Sequence, residues 1–508
     1  MKHVTKNKEQ QKIGQFITDL REERGITQEE LAEALNTSQS AVARMESGKQ
    51  NFTTEMLSKI SHVLNRDIIT LGTNAINFQI EGGHKLSGVI TTNTSKNSAV
   101  GLLCASLLNQ GRTTLKNMPR IEEVHRIIEV IESIGVAVRW NGNDIEINPP
   151  AKINLEKINL ESAVKTRSAL MLMSPLAHYL NNFILPHPGG CKLGKRTVRP
   201  HLFALEKLGI KIKTTKTDYK VEVKKLHWNE IVLYESGDTV TESVLMAATK
   251  IQGPTIIKFA SANYQVQDLC HFLELLGVKI EGIGSTTLTI HGQSEINQPV
   301  VFYPSEDPIE SMLFLSLAAT TNSQIKIERC PIDFLELELL KLEKMGFKFK
   351  LSKRYKSRNG FTDLVDITTL PSKLTALEEK IYARPFPGLN IDNLPFFAPI
   401  ATQAKGTTLI HDWVYENRAI YYYELTKLGA DVILADPHRA YITGPTELKA
   451  AEVICPPALR PAVIILIAML AASGTSILRN VYSINRGYED LVTRLNHLGA
   501  KIKILKGI

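Results

Sequence analysis

The chain has 508 residues, 43% of them apolar and 22% charged, with a formal net charge of +8. That composition is ordinary for a globular protein, and the length suits two to four domains. Its five cysteines, Cys104, Cys191, Cys270, Cys330 and Cys455, are scattered, which excludes a disulfide framework or zinc spacing and suits a reducing, cytoplasmic setting. The start, Met1-Lys2-His3, leads into no apolar segment, so no secretory signal is expected. The most apolar run, Pro461 to Ala472, is too short to span a bilayer and reads as a buried helix.

Residues 1–70 hold ten basic and ten acidic residues, so the whole positive balance lies beyond them, where it fits anionic substrates. Ile13, Phe16, Ile17 and Leu20 recur at helical spacing, and Gly25 ends that helix. Thr27 with Glu30 predicts a capping box, and Ser38 caps a further helix running to about Ser47. Ala41, Val42 and Met45 would face inward, and Gln39, Ser40 and Arg44 outward. The spacing from Thr27 to Gly48 resembles the phage-repressor (Cro-type) helix-turn-helix family. That resemblance implies a DNA-binding domain over 1–72, with Gln39 and Ser40 reaching base edges and Gln28 and Arg44 holding phosphates. A helical module that binds protein instead fits the zero net charge. Weak electrostatic attraction to duplex DNA leads us to expect a homodimer.

One pattern then recurs six times: an amphipathic helix ends in glycine and an alternating run follows. The glycines are Gly135, Gly209, Gly277, Gly346, Gly429 and Gly499, spaced 74, 68, 69, 83 and 70 residues apart. Glycine supplies a left-handed cap, and alternation predicts a half-buried strand. Six α/β units of this size suit two lobes of three.

Lys96-Asn97 opens the apolar stretch Ala99 to Leu108, and a lysine at a helix start is a ready phosphate site. Farther on lies the loop Pro188-Gly189-Gly190-Cys191-Lys192-Leu193-Gly194-Lys195-Arg196. Its cations favour a thiolate at Cys191, and Arg196 offers a planar fork for phosphate or carboxylate. A Gly-rich turn around an ordinary buried cysteine is the alternative.

This loop, within Ile76 to the C-terminus, resembles the UDP-N-acetylglucosamine 1-carboxyvinyltransferases, a branch of the enolpyruvyl transferases. The resemblance implies an α/β fold of two inside-out, barrel-like lobes with a ligand cleft between them. The chain would cross between lobes near Thr94 and Gly292, giving one lobe from 76–94 and 293–508 and another from 95–292. The implied partners are phosphoenolpyruvate and a UDP-sugar, with no cofactor and no metal. Lys96 would hold phosphoenolpyruvate and Asn97 the sugar. Arg167 would reach the nucleotide, and Arg418 would bind phosphoenolpyruvate. Asp307 would take the proton of the sugar hydroxyl, although Asp307-Pro308 equally suits a helix N-cap. Asp392 matches a cleft aspartate, and Cys191 would be a general acid or covalent anchor. Arg486 falls in a C-terminal signature read as structural.

The pattern breaks near the nucleotide. Arg199 stands where the family has an aspartate, Met171 where it has a tryptophan, and Tyr234 to Asp238 lacks the expected lysine and serine. A different nucleotide acceptor, or a transcriptional regulator that only senses ligand, stays open beside the transferase reading.

Overall fold

The structure is a computed structural model that describes residues 2–23, 25–50, 52, 54–64, 76–187 and 197–506. It forms two compact units: Met1–Phe78 with Arg479–Val481 and Ile504–Ile508, and Gln79–Leu478 with Tyr482–Lys503.

In the first unit, helices α1 (Lys2–Glu23), α2 (Gln28–Ala34), α3 (Gln39–Glu46) and α4 (Thr54–Val63) follow in turn. Thr27 and Glu30 form the capping box, and the Ser38 side chain accepts from Ala41 N. Ala41, Val42 and Met45 are buried with Ile17, Leu20 and Leu31. Gly14 lets α1 approach α3, since a Cβ there would lie 2.4 Å from the Glu46 carbonyl oxygen. One polar cluster ties three helices together. Arg21 donates to both carboxylate oxygens of Glu46 at 2.6 and 3.2 Å, and Gln28 donates to Glu46 at 2.8 Å.

The second unit is mixed α/β. All six repeat glycines have positive φ, between 85° and 104°, where an L side chain costs roughly 1–2 kcal/mol. The strand after each one is Ala137–Asn141, Ile210–Thr214, Lys279–Glu281, Lys348–Leu351, Asp431–Asp436 or Lys501–Lys506. Each of these six strands lies at the edge of a different sheet. The sheets are open, and none closes on itself among the described residues, so barrel describes the grouping of units rather than a continuous wall. Among the described residues no helix is long and apolar enough to cross a membrane.

Helices that position the site are α5 (Lys96–Ala105), α6 (Glu122–Ser133), α7 (Asp238–Ala248), α8 (Tyr264–Leu275), α9 (Pro308–Thr321) and α10 (Leu459–Ala471). All 14 residues of α9 are buried. One apolar core runs from Ala99 to Phe302. Ser87–Thr91 pairs parallel with Gln324–Glu328, whereas Val300–Phe302 pairs parallel with Thr113–Leu115. The chain therefore changes sheet groups after Thr91 and again after Phe302. The two crossing segments run side by side, with Ser95 N donating to Ser305 O and Asp307 N to Asn93 O, each at 2.8 Å.

Candidate active site

A cleft of about 1130 Å³ opens in the second unit. Lys96, Asn97, Arg167, Asp392 and Arg418, drawn from 323 positions of sequence, all line it. Ser95 caps α5 by accepting from Ser98 N, which sets Lys96 in the first turn. Asn97 Nδ2 donates to the Tyr264 hydroxyl at 3.1 Å. Burial lowers the Lys96 pKa, Arg460 and Arg486 lower it further, and Glu123 and Asp392 oppose them. A lysine crowded by cations gains more than usual from an anion.

Arg418 is almost wholly buried. Its Nε and Nη2 grip Asp412 at 2.6 and 2.8 Å, and Nη2 also donates to Ile391 O at 2.8 Å. Tyr422 donates to the same Asp412 at 2.6 Å. The guanidinium plane is thereby held, with Nη1 at 3.8 Å from Asp392 Oδ1. Asp392 Oδ2 also receives Arg460 Nη2 at 3.4 Å. Arg460 is buried and donates to the Tyr488 hydroxyl at 2.6 Å. Arg418 and Arg460 thus hold one carboxylate between them, and Lys96 lies within its electrostatic reach.

Arg167 donates to Thr197 O at 3.3 Å. Beside it, burial and then Arg167 push His201 down to about 4. Asp307 is buried within electrostatic reach of the cleft residues Lys96 and Arg460. Its carboxylate caps α9, accepting from Ile309 N at 2.8 Å. Burial pushes it up to about 6 against the pull of Arg460 and Lys96. Cys191 and Arg196 lie outside the described residues. The other four cysteines are buried, and burial pushes each thiol up, to about 12 for Cys330 and Cys455. None of these four is a ready nucleophile.

Residues 80–495 match the EPSP synthase (3-phosphoshikimate 1-carboxyvinyltransferase) family. The chain belongs to the enolpyruvyl transferase family. A UDP-N-acetylglucosamine 1-carboxyvinyltransferase of Bradyrhizobium diazoefficiens is 34% identical over 438 residues, covering 84% of this chain and 98% of that one. One of Treponema denticola is 35% identical over 437 residues, with the same coverage. Among solved structures, the enolpyruvyl transferase NikO from Streptomyces tendae matches with a TM-score of 0.75 at 23% identity, covering 86% of this chain and all of its own.

For this enolpyruvyl transferase, sequence reasoning passed over two residues. Arg460 stands immediately before the most apolar run of the chain and is the one charge of α10, a signal that was there to be read. Arg486, read as structural, lines the cleft and lies 3.7 Å from Glu123.

Residues 17–71 match a helix-turn-helix family. Gln39 and Ser40 are exposed at the start of α3, and Arg44 is exposed in its last turn. Gln28 is half-buried and its amide is committed to Glu46.

Proposed function

We propose that this enzyme transfers the enolpyruvyl group of phosphoenolpyruvate to the 3-hydroxyl of UDP-N-acetylglucosamine, releasing phosphate, in peptidoglycan precursor synthesis. The observation that carries the reading is the group of Lys96, Arg418 and Arg460 around Asp392 at the cleft wall. Phosphoenolpyruvate brings a phosphate and a carboxylate, which need several fixed cations. Lys96 and Arg460 suit the phosphate, and Arg418, with its plane held by Asp412, suits the carboxylate. The acceptor hydroxyl adds to C2, and a proton goes to the C3 methylene. Loss of a C3 proton and of phosphate then restores the double bond on the transferred group.

Asp392 and Asp307 divide the carboxylate work in this reading. Asp307, its pKa raised to about 6 by burial and its carboxylate within electrostatic reach of Lys96 and Arg460, takes the hydroxyl proton. Asp392 lines the cleft and holds Arg418 and Arg460 in place. Cys191 supplies the proton to C3 and Arg196 binds an anionic group. Asn97 and Arg167 contact the acceptor. The lobes are 76–94 with the chain beyond 293, and 95–292, the second boundary shifting toward Phe302 because of its strand pairing.

Residues 1–72 bind duplex DNA in the same reading, through Gln39, Ser40 and Arg44. Gln28 steadies α2 against α3 and reaches phosphate only if Glu46 releases it. The deciding assay is phosphate release from phosphoenolpyruvate with UDP-N-acetylglucosamine, other UDP-sugars or UMP. Release only with UDP-N-acetylglucosamine is expected. Release only with UMP would transfer the reading to another nucleotide, and release with none would make the domain a sensor.

A further inference from the structure

Asp392 sits on a short loop, residues 390–393, that is shaped by turns. Asp392 N donates to Asn390 Oδ1 at 2.8 Å, and Asn393 N and Leu394 N donate to Asn390 O at 3.0 and 3.1 Å. Such turns set the local shape of a loop without fixing it to the rest of the fold. Two side chains distant in sequence supply that. Arg418 Nη2 donates to Ile391 O in the middle of the loop, and Glu338 takes both of its ends.

Glu338 belongs to the helix Glu336–Lys344, whose Leu339 and Leu342 are buried in the core. Its Oε1 accepts from Asn390 N at 3.2 Å and from Asn393 Nδ2 at 2.7 Å. Glu338 is 2% exposed, and Asn393 is wholly buried. Burial raises the Glu338 pKa, and the Asn393 amide and then peptide N–H groups oppose that rise. A buried carboxyl is costly unless it is hydrogen-bonded. An apolar side chain would suit the helix and the core without that cost, so the carboxyl is accounted for by the loop it holds.

The loop has little slack. Asp392 Oδ1 lies 3.8 Å from Arg418 Nη1, and its Oδ2 accepts from Arg460 Nη2 at 3.4 Å. Charged pairs in close contact lie at about 2.7–2.9 Å, so Asp392 works near the limit of its reach. A loop shift of about 1 Å would part it from both guanidinium groups, and displacements of that size are costly at a site built on alignment.

We propose that Glu338 is a positioning residue for phosphoenolpyruvate: by holding both ends of the 390–393 loop it keeps Asp392 between Arg418 and Arg460, and so keeps both cations aligned for the anionic groups of the ligand. This rests on the transferase reading above. Glu338 acts from behind the loop, through Asn390 and Asn393. The acceptor, which that reading assigns to Asn97 and Arg167, does not depend on it.

The test is calorimetry on the full-length protein with phosphoenolpyruvate and, separately, with UDP-N-acetylglucosamine. Glu338→Leu leaves a peptide N–H and an amide without their acceptor. Phosphoenolpyruvate should then bind about tenfold more weakly, the scale of one unsatisfied buried group, with UDP-N-acetylglucosamine changed less than about twofold. Glu338→Gln still offers an oxygen to both donors and should return to within about twofold of wild type. Asn393→Ala removes one of the donors and should weaken phosphoenolpyruvate about threefold, which carries the test if Glu338→Leu does not fold. In an Asp392→Ala background no carboxylate is left to position, and Glu338→Leu should change phosphoenolpyruvate binding less than about twofold. Equal losses for both ligands would mean a merely structural role and overturn the proposal. So would no loss in Glu338→Leu, no rescue in Glu338→Gln, a full loss that persists without Asp392, or a wild type that binds no phosphoenolpyruvate. Phosphate release by wild type is scored separately. Its absence with this binding pattern intact would sink the transferase reading while leaving Glu338 as the anchor of an anion site.

Discussion

Two helices open onto the same cleft with opposite electrostatic character. α5 starts with Lys96, near Arg460 and Arg486, and α7 starts with Asp238, in a segment without any cation. Both helix starts carry the same partial positive charge. At α5 that charge adds to a lysine whose pKa burial, Arg460 and Arg486 already lower, so an anion there gains more than usual. At α7 the charge is met by a carboxylate that Ser261 and Asn263 hold in place. A helix start is therefore not a phosphate site by geometry alone, and the first-turn residue decides. The largest effect should come from removing the cation at α5. Lys96→Ala should lower kcat/KM for phosphoenolpyruvate by about a thousandfold, the upper scale for one lost charge-stabilising group. A loss under tenfold in steady-state phosphate release would show that the anion does not sit at α5.

The next test separates the two carboxylates behind that cation. Asp307→Asn should cut kcat by about a hundredfold, as expected for a positioned base, while the fold stands because asparagine still caps a helix. Asp392→Asn should cut it less. The reverse order would move the base to Asp392. Stability distinguishes them as well. Asp307 has a folded pKa of about 6, above the ordinary value near 4. The folded state therefore binds the proton more tightly. The stability contributed is fully present below about pH 4 and is lost as pH rises through 6. Wild type should gain on Asp307→Asn between pH 6.5 and pH 4 in denaturant melts, and parallel curves would count against a buried acid.

Much of the scaffold could be read from residue order, because its signals are local. Each repeat glycine, such as Gly277 or Gly429, caps a helix and precedes an edge strand within a few residues. The Thr27–Glu30 box and the Ser38 cap are likewise three-residue patterns. The cleft was legible where a motif carried its residue, as for Lys96, Asn97, Arg167, Asp392 and Arg418. Pairs distant in sequence were not legible. Nothing near Gln265 announces Glu242, and nothing near Gly101 says that its missing side chain makes room for that carboxyl. Asp307 illustrates the converse limit. Asp-Pro fits both a base and a cap, and the bond that Asp307 Oδ1 accepts from Ile309 N shows the cap and says nothing of the base.

The start of α3 is a third kind of helix start, and it sets the smallest effects. Ser38 caps it, and the exposed residues that follow, Gln39 and Ser40, carry no charge. It neither demands an anion, as α5 does, nor fills its own positive end, as α7 does. Such an end suits base edges better than strong phosphate binding, since glutamine can pair bidentately with adenine. Gln39→Ala should therefore relax preference at one position per half-site by about 1–3 kcal/mol. Arg44→Ala, in the last turn of the same helix, should weaken all sequences alike and flatten the salt dependence. Selection from a random duplex pool with full-length protein reads out both effects. With ten basic and ten acidic residues in 1–70, a single module attracts DNA weakly, so enriched sites should be palindromes one helical turn apart, as a dimer requires. An enriched site without two-fold symmetry would argue against the dimer. No enrichment at low salt, with the module shown folded, would mean that the exposed face of α3 binds protein instead.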